Sequence, residues 1–568
     1  MIFLSSKIPW KSKSRLFVSV FLIIIIILIT YQIFFIVNQY PGILNRPKEW
    51  WDHAYPPRLN RLGDDVVLKN VSSLAKIQYD FPYSAFRKKF IETPEEKELR
   101  ESRRESIKQG FLHAWNGYVK YAWGSDEVLP LSNQSSNGYN GWGATMVDAL
   151  DTMWIMDLKE EFKNATEYIS HVNFNSSKAQ ISVFETTIRY LGGMLSAYEL
   201  SGDEILLEKA TQLGEAMIPA FNSPTGLPYN NWNLTRGLID SNYRSYGTGL
   251  LAQVGTLQLE FMKLAQLTGN STFFYKVQNV TNVLDKAKKK IPGFYPMFIS
   301  QETGEFLDFD EISFGANADS FYEYLIKEYL LVGGAFDQYK RMYEESIDSM
   351  HKYLTREGQV KNRPDLLFLG EIYHGFLPRM EHLGCFVPGM LAIGAKTLNR
   401  PKDLEVAIRL GETCYWAYNS TPTGIGPEDF YFLEKNVTMD EKTTWLKQSQ
   451  EDTVLPDGVY KLNGNYLLRP ETVESLFVLY RVTGDKSYQE KGWKIWQSIE
   501  KWCKTETAYS GLINVASNKE IIQNDNMESF FFAETLKYLY LLFSTPDVIS
   551  LDDYVFNTEA HPFLRMKP

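Results

Sequence analysis

Acidic residues recur at the starts of several apolar, helix-like segments of this chain. Asp319 stands four residues before Glu323. Glu471 stands three residues before Glu474, and Glu185 begins a third such segment. Carboxylates at these spacings share one helix face and repel each other, so helix stability alone does not account for them. On neighbouring helix ends they would form one acidic basin, which could split sugars or bind a cation.

A fourth acidic segment near the C-terminus contains Glu528 and Glu534. The alternative interpretation is structural, because the helix macrodipole favours acidic residues in the first turn of any helix. That interpretation suits one segment better than four. Glu185 and Glu471 also stand between apolar neighbours, where a carboxylate without a function is unfavourable. We therefore expect a catalytic or cation-binding site.

The segments that carry these acids belong to a series of helix pairs. An apolar stretch such as residues 474–482 ends at a Gly-Asp turn, and an amphipathic stretch, residues 488–504, follows it. A helix that is apolar on most faces is surrounded by protein, whereas an amphipathic helix buries one face. Such pairs repeated around a circle predict an all-α fold, an α/α barrel with short strands in its loops, over residues 96–568. An open α-solenoid is the alternative, because the repeat spacing is irregular.

Composition and charge exclude several classes of protein. The chain has 568 residues, of which 44% are hydrophobic, which is enough for a large buried core. The formal net charge is −10 and the one basic tract lies at the extreme N-terminus, so we expect no nucleic-acid partner. The sequence contains no Cys-x-x-Cys or His-Glu-x-x-His pattern, which argues against a zinc site.

The N-terminal region has the pattern of a membrane anchor. Residues 16–37 contain no charge and are long enough to cross a hydrocarbon core of about 30 Å. The basic residues of the tail, 1–15, place it in the cytosol, with a stem over 38–95 and the remainder in a lumen. A cleaved signal peptide is the alternative, but the apolar run is too long for one. Nine Asn-x-Ser/Thr sequons agree with a lumenal domain, although sequons also arise by chance.

Six motifs then resemble those of a known family. They include Val183-Phe-Glu-Thr-Thr-Ile-Arg189 and cover residues 141–152, 183–193, 314–324, 468–477, 528–538 and 556–562. In this order they strongly resemble the class I α-1,2-mannosidases, family 47 of the glycoside hydrolases. With its anchor and stem, the chain is similar to the fungal endoplasmic-reticulum type. The resemblance implies an inverting exo-hydrolase on an (α/α)7 barrel, with Ca²⁺ at the barrel floor.

The resemblance also implies roles for individual residues. Glu185, Asp319 and Glu471 match the catalytic carboxylates, with Glu185 as the acid acting through a water and Glu471 as the base. Asp319 assists, or is the acid in a competing assignment. Inversion requires acid and base carboxyls roughly 6.5–9.5 Å apart. Thr558 matches the residue that coordinates Ca²⁺. The positions that hold sugar or metal-bound water match Asp148, Arg189, Glu323, Glu474, Phe530, Glu534 and Glu559.

Three cysteines occur, and in an oxidising lumen one disulfide and one leftover thiol is the expected count. By resemblance, Cys385 and Cys414 form the disulfide. Closing this loop would stabilise the fold by about 3 to 4 kcal/mol in the loop-entropy model. We expect Cys503 to be a buried apolar residue. For His382 and His561, cavity-lining and structural roles both stay open.

Asn317, two residues before Asp319, departs from the family pattern. Endoplasmic-reticulum members usually carry Arg at this position, where it contacts the oligosaccharide branches, and Golgi-type members carry a small apolar residue. Asn can hydrogen-bond to sugar but lacks the fork of donors that Arg presents. We therefore include Asn317 among the predicted substrate-binding residues. The sequence does not decide which branch of the oligosaccharide is trimmed.

The resemblance predicts a monomeric α-1,2-mannosidase that trims high-mannose N-glycans from nine mannoses to eight. Its location would be the endoplasmic reticulum membrane, or the Golgi, in a type II orientation. The alternatives are a broader Golgi-type mannosidase, a mannose-binding lectin-like degradation factor on the same fold, and an α/α-barrel enzyme of other chemistry. The three catalytic carboxylates argue against the lectin, and the lack of an Asp-rich diphosphate motif argues against a terpenoid cyclase.

Overall fold

The computed structural model describes residues 61–63, 65–66, 68, 73–84, 89–238, 247–307 and 311–567. The predicted cytosolic tail (1–15), the predicted anchor (16–37) and the first part of the predicted stem (38–95) lie outside these residues. Within the described part of the chain, no helix combines the length and the apolar character that crossing a membrane requires.

Seven apolar helical segments form an inner ring in the described part of the chain. Most of their residues are buried, as expected for helices surrounded by protein. The segments are Ala144–Asp148 with Leu150–Ile155; Val183–Glu185 with the π-turn Thr186–Leu191 and Gly192–Ser201; Leu251–Gly255 with Gln258–Thr268; Asp319–Leu331; Val387–Thr397; Glu471–Thr483; and the π-turn Phe531–Thr535 with Leu536–Leu542. Each segment contacts the next and the last contacts the first, so the ring is closed.

Amphipathic helices cover this ring from outside. In Ser487–Trp502 the buried residues include Gly492, Ile495 and Ile499, which recur every three or four positions. The covering helices are Pro94–Tyr121, Lys159–Ser170, Glu204–Met217, Ser271–Lys286, Asp337–Tyr353, Pro401–Asn419 and Ser487–Trp502. Inner and outer helices alternate along the sequence, so the described residues form an α/α barrel and not an open solenoid.

Glycines mark one end of the barrel. Gly202, Gly269 and Gly484 follow inner helices directly and have φ values of 72°, 79° and 75°, a left-handed conformation that glycine adopts without strain. Asp319 and Glu471 are instead the first residues of their inner helices. The glycine turns and the predicted catalytic carboxylates therefore lie at opposite ends of the barrel.

The remaining helical elements and the strands of the described chain are short. They comprise the 3₁₀ turns Ile218–Phe221 and Leu383–Phe386 and the surface helix Glu441–Gln448. The paired strands are Glu127–Leu129 with Gln134–Ser136; Ile181–Ser182 with Asn231–Trp232; Thr248–Leu250 with Phe298–Ser300; Thr355–Arg356 with Phe368–Leu369; Phe376–Leu377, Glu371–Tyr373 and Glu311–Ile312; Arg379–Glu381, Asp429–Phe432 and Val459–Asn463; and Tyr554–Phe556 with Pro562–Leu564. All these pairs are antiparallel.

The C-terminal hairpin, Tyr554–Phe556 with Pro562–Leu564, brings its turn against the inner helices. In that turn, Asn557 Nδ2 donates to the carbonyl of Ile188 at 3.0 Å and to Glu260 Oε1 at 2.8 Å. The next backbone N–H, of Thr558, lies 3.3 Å from the hydroxyl of Tyr324. The hairpin therefore places Thr558 beside the helix that begins at Asp319.

Residues 73–84, which belong to the predicted stem, pack on the end of the barrel that carries the glycine turns. Ile77 is 1% exposed, and its N–H donates to Asp552 Oδ1 at 2.6 Å. The N–H of Tyr79 donates to the carbonyl of Arg481 at 2.8 Å, three residues before the turn glycine Gly484. This part of the predicted stem is thus in contact with the folded domain.

A disulfide joins the predicted pair Cys385 and Cys414. It connects the 3₁₀ turn Leu383–Phe386 to the outer helix Pro401–Asn419. Cys503 is free and buried, and burial raises the pKa of its thiol. A buried thiol of raised pKa is unreactive, as the sequence predicts for this residue.

Candidate active site

A cavity of about 280 Å³ opens at the helix ends that carry the predicted carboxylates. Almost all of the predicted catalytic, sugar-binding and metal-binding residues line it: Glu185, Arg189, Asn317, Asp319, Glu323, Glu471, Glu474, Phe530, Glu534, Thr558 and Glu559. These residues come from four inner segments, from the loop before the Asp319 helix and from the C-terminal hairpin. The barrel therefore brings together side chains that are up to 374 positions apart in sequence.

Asp148 is the predicted site residue that the structure places elsewhere. It is fully buried and is not part of the cavity wall. Its carboxylate accepts the hydroxyl of Ser529 and lies 3.5 Å from Arg189 Nη1. Asp148 therefore contacts Arg189, which lines the cavity, and does not itself contact the cavity space.

Several cavity residues escape the motif-based assignment. They are Phe184, Ile188, Ala252, Gln253, Ala316, Ser320, Leu383, Phe386, Arg469 and Pro470. Some of them carried a usable signal, because they stand directly beside a predicted site residue, as Phe184 and Pro470 do. Leu383 and Phe386 carried none, since only the fold brings their 3₁₀ turn to the cavity.

Glu471 begins its helix and is held by a histidine from a distant segment. His382 Nδ1 lies 2.6 Å from Glu471 Oε2, and its Nε2 lies 2.6 Å from the hydroxyl of Tyr418. Burial alone would raise the pKa of Glu471, but the bond to His382 and the charge of Arg469 outweigh burial and lower it. His382 thus has a defined role beside the cavity: it keeps Glu471 ionised.

Asp319 also begins an inner helix, but its surroundings have the opposite effect. Burial, followed by the charges of Glu381, Glu323 and Glu471, raises the pKa of Asp319 to about 8, although the backbone N–H of Ser320 lowers it in part. A carboxyl with this pKa carries a proton at neutral pH. The same cavity therefore contains a protonated Asp319 and an ionised Glu471.

Glu185 is bound by an arginine one helical turn away. Arg189 Nε donates to Glu185 Oε2 at 2.9 Å, and the Glu185 side chain is 31% exposed. The same guanidinium forms an ion pair with Glu559 and lies 5.8 Å from the ring centre of Phe530. A π-turn, Thr186–Leu191, carries Arg189, and such turns recur at functional sites.

Acidic residues outnumber basic ones in the cavity wall. Seven acidic residues line it but only two arginines, Arg189 and Arg469. Burial, and then the charge of Glu323, raises the pKa of Glu474 to about 8. Burial and neighbouring carboxylates raise the pKa of Glu534 and of Glu559 well above the ordinary value.

This geometry can be compared with known proteins. A family model described as "Glycosyl hydrolase family 47" matches residues 110–565. The chain belongs to this family. It is 41% identical over 463 residues to the human "Endoplasmic reticulum mannosyl-oligosaccharide 1,2-alpha-mannosidase", a match that covers 81% of this chain and 64% of the relative. It is also 41% identical over 469 residues to a mannosyl-oligosaccharide 1,2-alpha-mannosidase of Arabidopsis thaliana, covering 81% of this chain and 78% of that one.

A solved structure agrees with the family assignment. The "alpha-1,2-mannosidase from Trichoderma reesei" superposes with a TM-score of 0.75 at 32% identity, covering 82% of this chain and 99% of that one. The helix-rich fold described above is therefore that of a family 47 glycosidase. The predicted family assignment is confirmed.

The donor atoms around Thr558 fit a hydrated cation. Within the described residues, no group of three or more His, Cys, Asp or Glu side chains could hold a metal ion directly. Thr558 lines the cavity with Glu323, Glu474 and Glu559, all of which offer oxygen. Hard cations such as Ca²⁺ prefer oxygen ligands and accept waters among them. These oxygen donors therefore fit a cation bound through Thr558 and waters.

Proposed function

We propose that this family 47 protein is a calcium-dependent, inverting exo-α-1,2-mannosidase that trims high-mannose N-glycans. The observation that carries the proposal is that Glu185, Asp319 and Glu471 line one cavity. In that cavity burial raises the pKa of Asp319, and the bond to His382 lowers that of Glu471. An inverting glycosidase requires such a pair, one protonated to assist the leaving oxygen and one ionised to activate water. The names of the matched relatives supply the sugar and the linkage.

In this proposal Glu471 is the general base. Its ionised carboxylate takes a proton from the attacking water, and the bond to His382 fixes its direction. Asp319 supplies the proton that the leaving mannoside oxygen needs. Glu185, the acid implied by the family resemblance, remains the alternative proton donor, because it also lines the cavity, where Arg189 binds it.

Calcium would be held by Thr558 together with waters bound by the neighbouring acids. When bound, the ion would supply a site for hydroxyls of the terminal mannose, since Ca²⁺ accepts oxygen ligands of several kinds. Phe530 and Arg189 line the same cavity and would contact the sugar. Tyr324 and Asn557 hold the turn that carries Thr558, since both bond to Glu260 and Tyr324 contacts the backbone of Thr558.

The extent of trimming depends on Asn317, which lines the cavity. Its φ of 68° lies in the left-handed region, where Asn is among the favoured non-glycine residues. The backbone therefore gives a structural reason for Asn at this position in addition to contact with sugar. We favour removal of one mannose from a nine-mannose glycan, and broader Golgi-type trimming is the second candidate because Asn317 lacks the donors of Arg.

For the location, we propose a monomeric type II protein whose catalytic domain lies in the lumen of the endoplasmic reticulum. The charge-free residues 16–37 and the basic residues before them support this orientation. The human relative carries the endoplasmic reticulum in its name.

The test is a time course on a nine-mannose N-glycan with the purified lumenal domain. We expect free mannose and an eight-mannose product, loss of activity with EDTA, and recovery with Ca²⁺ but not with Mg²⁺. Proton NMR of the first turnovers should show the β-anomer of mannose, because inversion at an α-linkage yields it. Binding of the glycan without release of mannose would instead support the lectin. Release of the α-anomer would contradict the assignment of Glu471 as a base.

A further inference from the structure

The backbone just before Glu471 adopts a conformation that leucine rarely takes. Leu468 has φ of 63°, and its side chain is fully buried. Left-handed conformations are unfavourable for bulky residues and persist where the surroundings enforce them, which is often beside functional sites. Leu468 precedes Glu471 by three residues. Any change in the direction of the chain at Leu468 would therefore move the carboxylate.

Arg469 and Pro470, which lie between Leu468 and Glu471, have restricted backbone conformations. Arg469 precedes a proline, which restricts its backbone to extended conformations. Its guanidinium makes two hydrogen bonds to Glu428, at 2.7 and 2.6 Å. Pro470 has a fixed φ, and its carbonyl accepts the N–H of Glu474 at 2.8 Å as the helix begins. Leu468 is thus the residue of this turn whose backbone conformation must be stabilised by a contact from another segment.

A threonine hydroxyl supplies that contact. Thr535 Oγ1 donates to the carbonyl of Leu468 at 2.6 Å, and both residues are fully buried. A helical threonine usually donates to the carbonyl four residues earlier, as Thr397 does to Ile393 at 2.8 Å. Thr535 ends the π-turn Phe531–Thr535 and donates to a different segment instead. Its neighbour in that turn, Glu534, lines the cavity.

A second left-handed residue whose carbonyl is bonded by a side chain of the same inner segment lies beside Thr558. Ala560 also has a left-handed backbone, with φ of 59°, and its carbonyl accepts Lys537 Nζ at 2.6 Å. Lys537 stands two residues after Thr535 on the same inner segment. One inner segment therefore holds two strained turns, the one before Glu471 and the one after Thr558.

We propose that Thr535 is a positioning residue for Glu471. By holding the carbonyl of Leu468, its hydroxyl fixes the strained turn and so directs the Glu471 carboxylate at the attacking water. Thr535 does not line the cavity and touches no reacting atom. The inference rests on the proposed function, because Glu471 is the general base there.

The test compares Thr535→Val, which is close in size but lacks the hydroxyl, with Thr535→Ser, which keeps it. We expect Thr535→Val to lower kcat by about 10- to 100-fold with little change in KM, because small misplacements of a catalytic group have effects of this size. Thr535→Ser should recover kcat to within about 3-fold. The matched control is Thr397→Val, which removes a buried threonine hydroxyl away from the cavity and should leave kcat unchanged. Thermal unfolding of all variants separates stability from catalysis.

Wild-type kcat in Thr535→Val, or an equal loss in Thr535→Ser, would overturn the proposal. A crystal structure of Thr535→Val gives a readout that does not depend on activity. In that structure the φ angle of Leu468 should no longer be positive. The distance between His382 Nδ1 and Glu471 Oε2 should exceed the 2.6 Å seen here. An unchanged turn in this variant would overturn the proposal. A lack of mannosidase activity in the wild type would refute only the proposed function, and the crystal structure would still test the role of Thr535.

Discussion

The helices Asp319–Leu331 and Glu471–Thr483 both begin with a carboxylate that lines one cavity, yet the two carboxylates have opposite surroundings. Glu471 receives His382 and lies near Arg469, and its pKa is lowered. Burial and nearby carboxylates raise the pKa of Asp319 to about 8. Position at a helix start therefore does not decide ionisation. The partners that tertiary structure brings to each carboxylate decide it.

This difference also divides the chemistry between the two helices. Between the two pKa values, Glu471 can accept a proton while Asp319 can donate one, as an inverting hydrolysis requires. Activity should fall as pH drops through the lowered pKa of Glu471, since the base is then protonated. It should also fall as pH rises through about 8, since Asp319 then loses its proton.

The largest expected effect comes from neutralising either carboxylate. Glu471→Gln and Asp319→Asn should each lower kcat by about 10²- to 10⁴-fold on the natural glycan, because each removes a general acid or base. The two variants should differ on α-mannosyl fluoride, whose leaving group needs less protonation. Asp319→Asn should lose much less activity on this substrate, and Glu471→Gln should lose as much as before.

The control for this comparison is Asp337→Asn, which changes the exposed first residue of an outer helix. It should leave kcat within about 2-fold of the wild type, in keeping with a surface substitution. If Glu185→Gln, and not Asp319→Asn, recovers activity on the fluoride, then Glu185 is the acid and the proposed division is wrong.

A smaller effect is expected from His382→Asn, which removes the bond that lowers the pKa of Glu471. Because that pKa then rises, the acid limb of the kcat/KM profile should move to higher pH, by about one unit or more. The limb near pH 8 should not move. His351→Asn is the matched control, since His351 bonds Asp403 between two outer helices at 3.0 Å. A shift of the limb near pH 8 in His382→Asn would contradict the pairing of His382 with Glu471.

Much of the fold follows from local sequence patterns. The alternation of apolar and amphipathic stretches predicts the inner and outer helices, and Gly484 marks the end of the Glu471 helix as expected. The packing of residues 73–84 could not be predicted, because they belong to a stretch, 38–95, whose prolines and charges resemble those of a stem. Their hydrogen bonds go to Asp552 and Arg481, more than 400 residues away along the chain.

The site was predictable in its membership but not in its electrostatics. The motifs predict that Glu185, Asp319 and Glu471 share a cavity, which the structure shows. His382 gave no comparable signal, since it lies 89 residues from Glu471 in sequence. No sequence pattern shows that Asp148 is buried beneath the residues that line the cavity. Burial and contacts determine both results, and neither is a property of local sequence.

The opposite protonation of the two carboxylates can be measured most directly by infrared difference spectroscopy. At neutral pH, the spectrum of the wild type minus that of Asp319→Asn should contain the C=O stretching band of a protonated carboxyl, and this band should vanish as pH rises through about 8. The spectrum of the wild type minus that of Glu471→Gln should contain only carboxylate bands. A protonated band that disappears in Glu471→Gln and persists in Asp319→Asn would contradict the account.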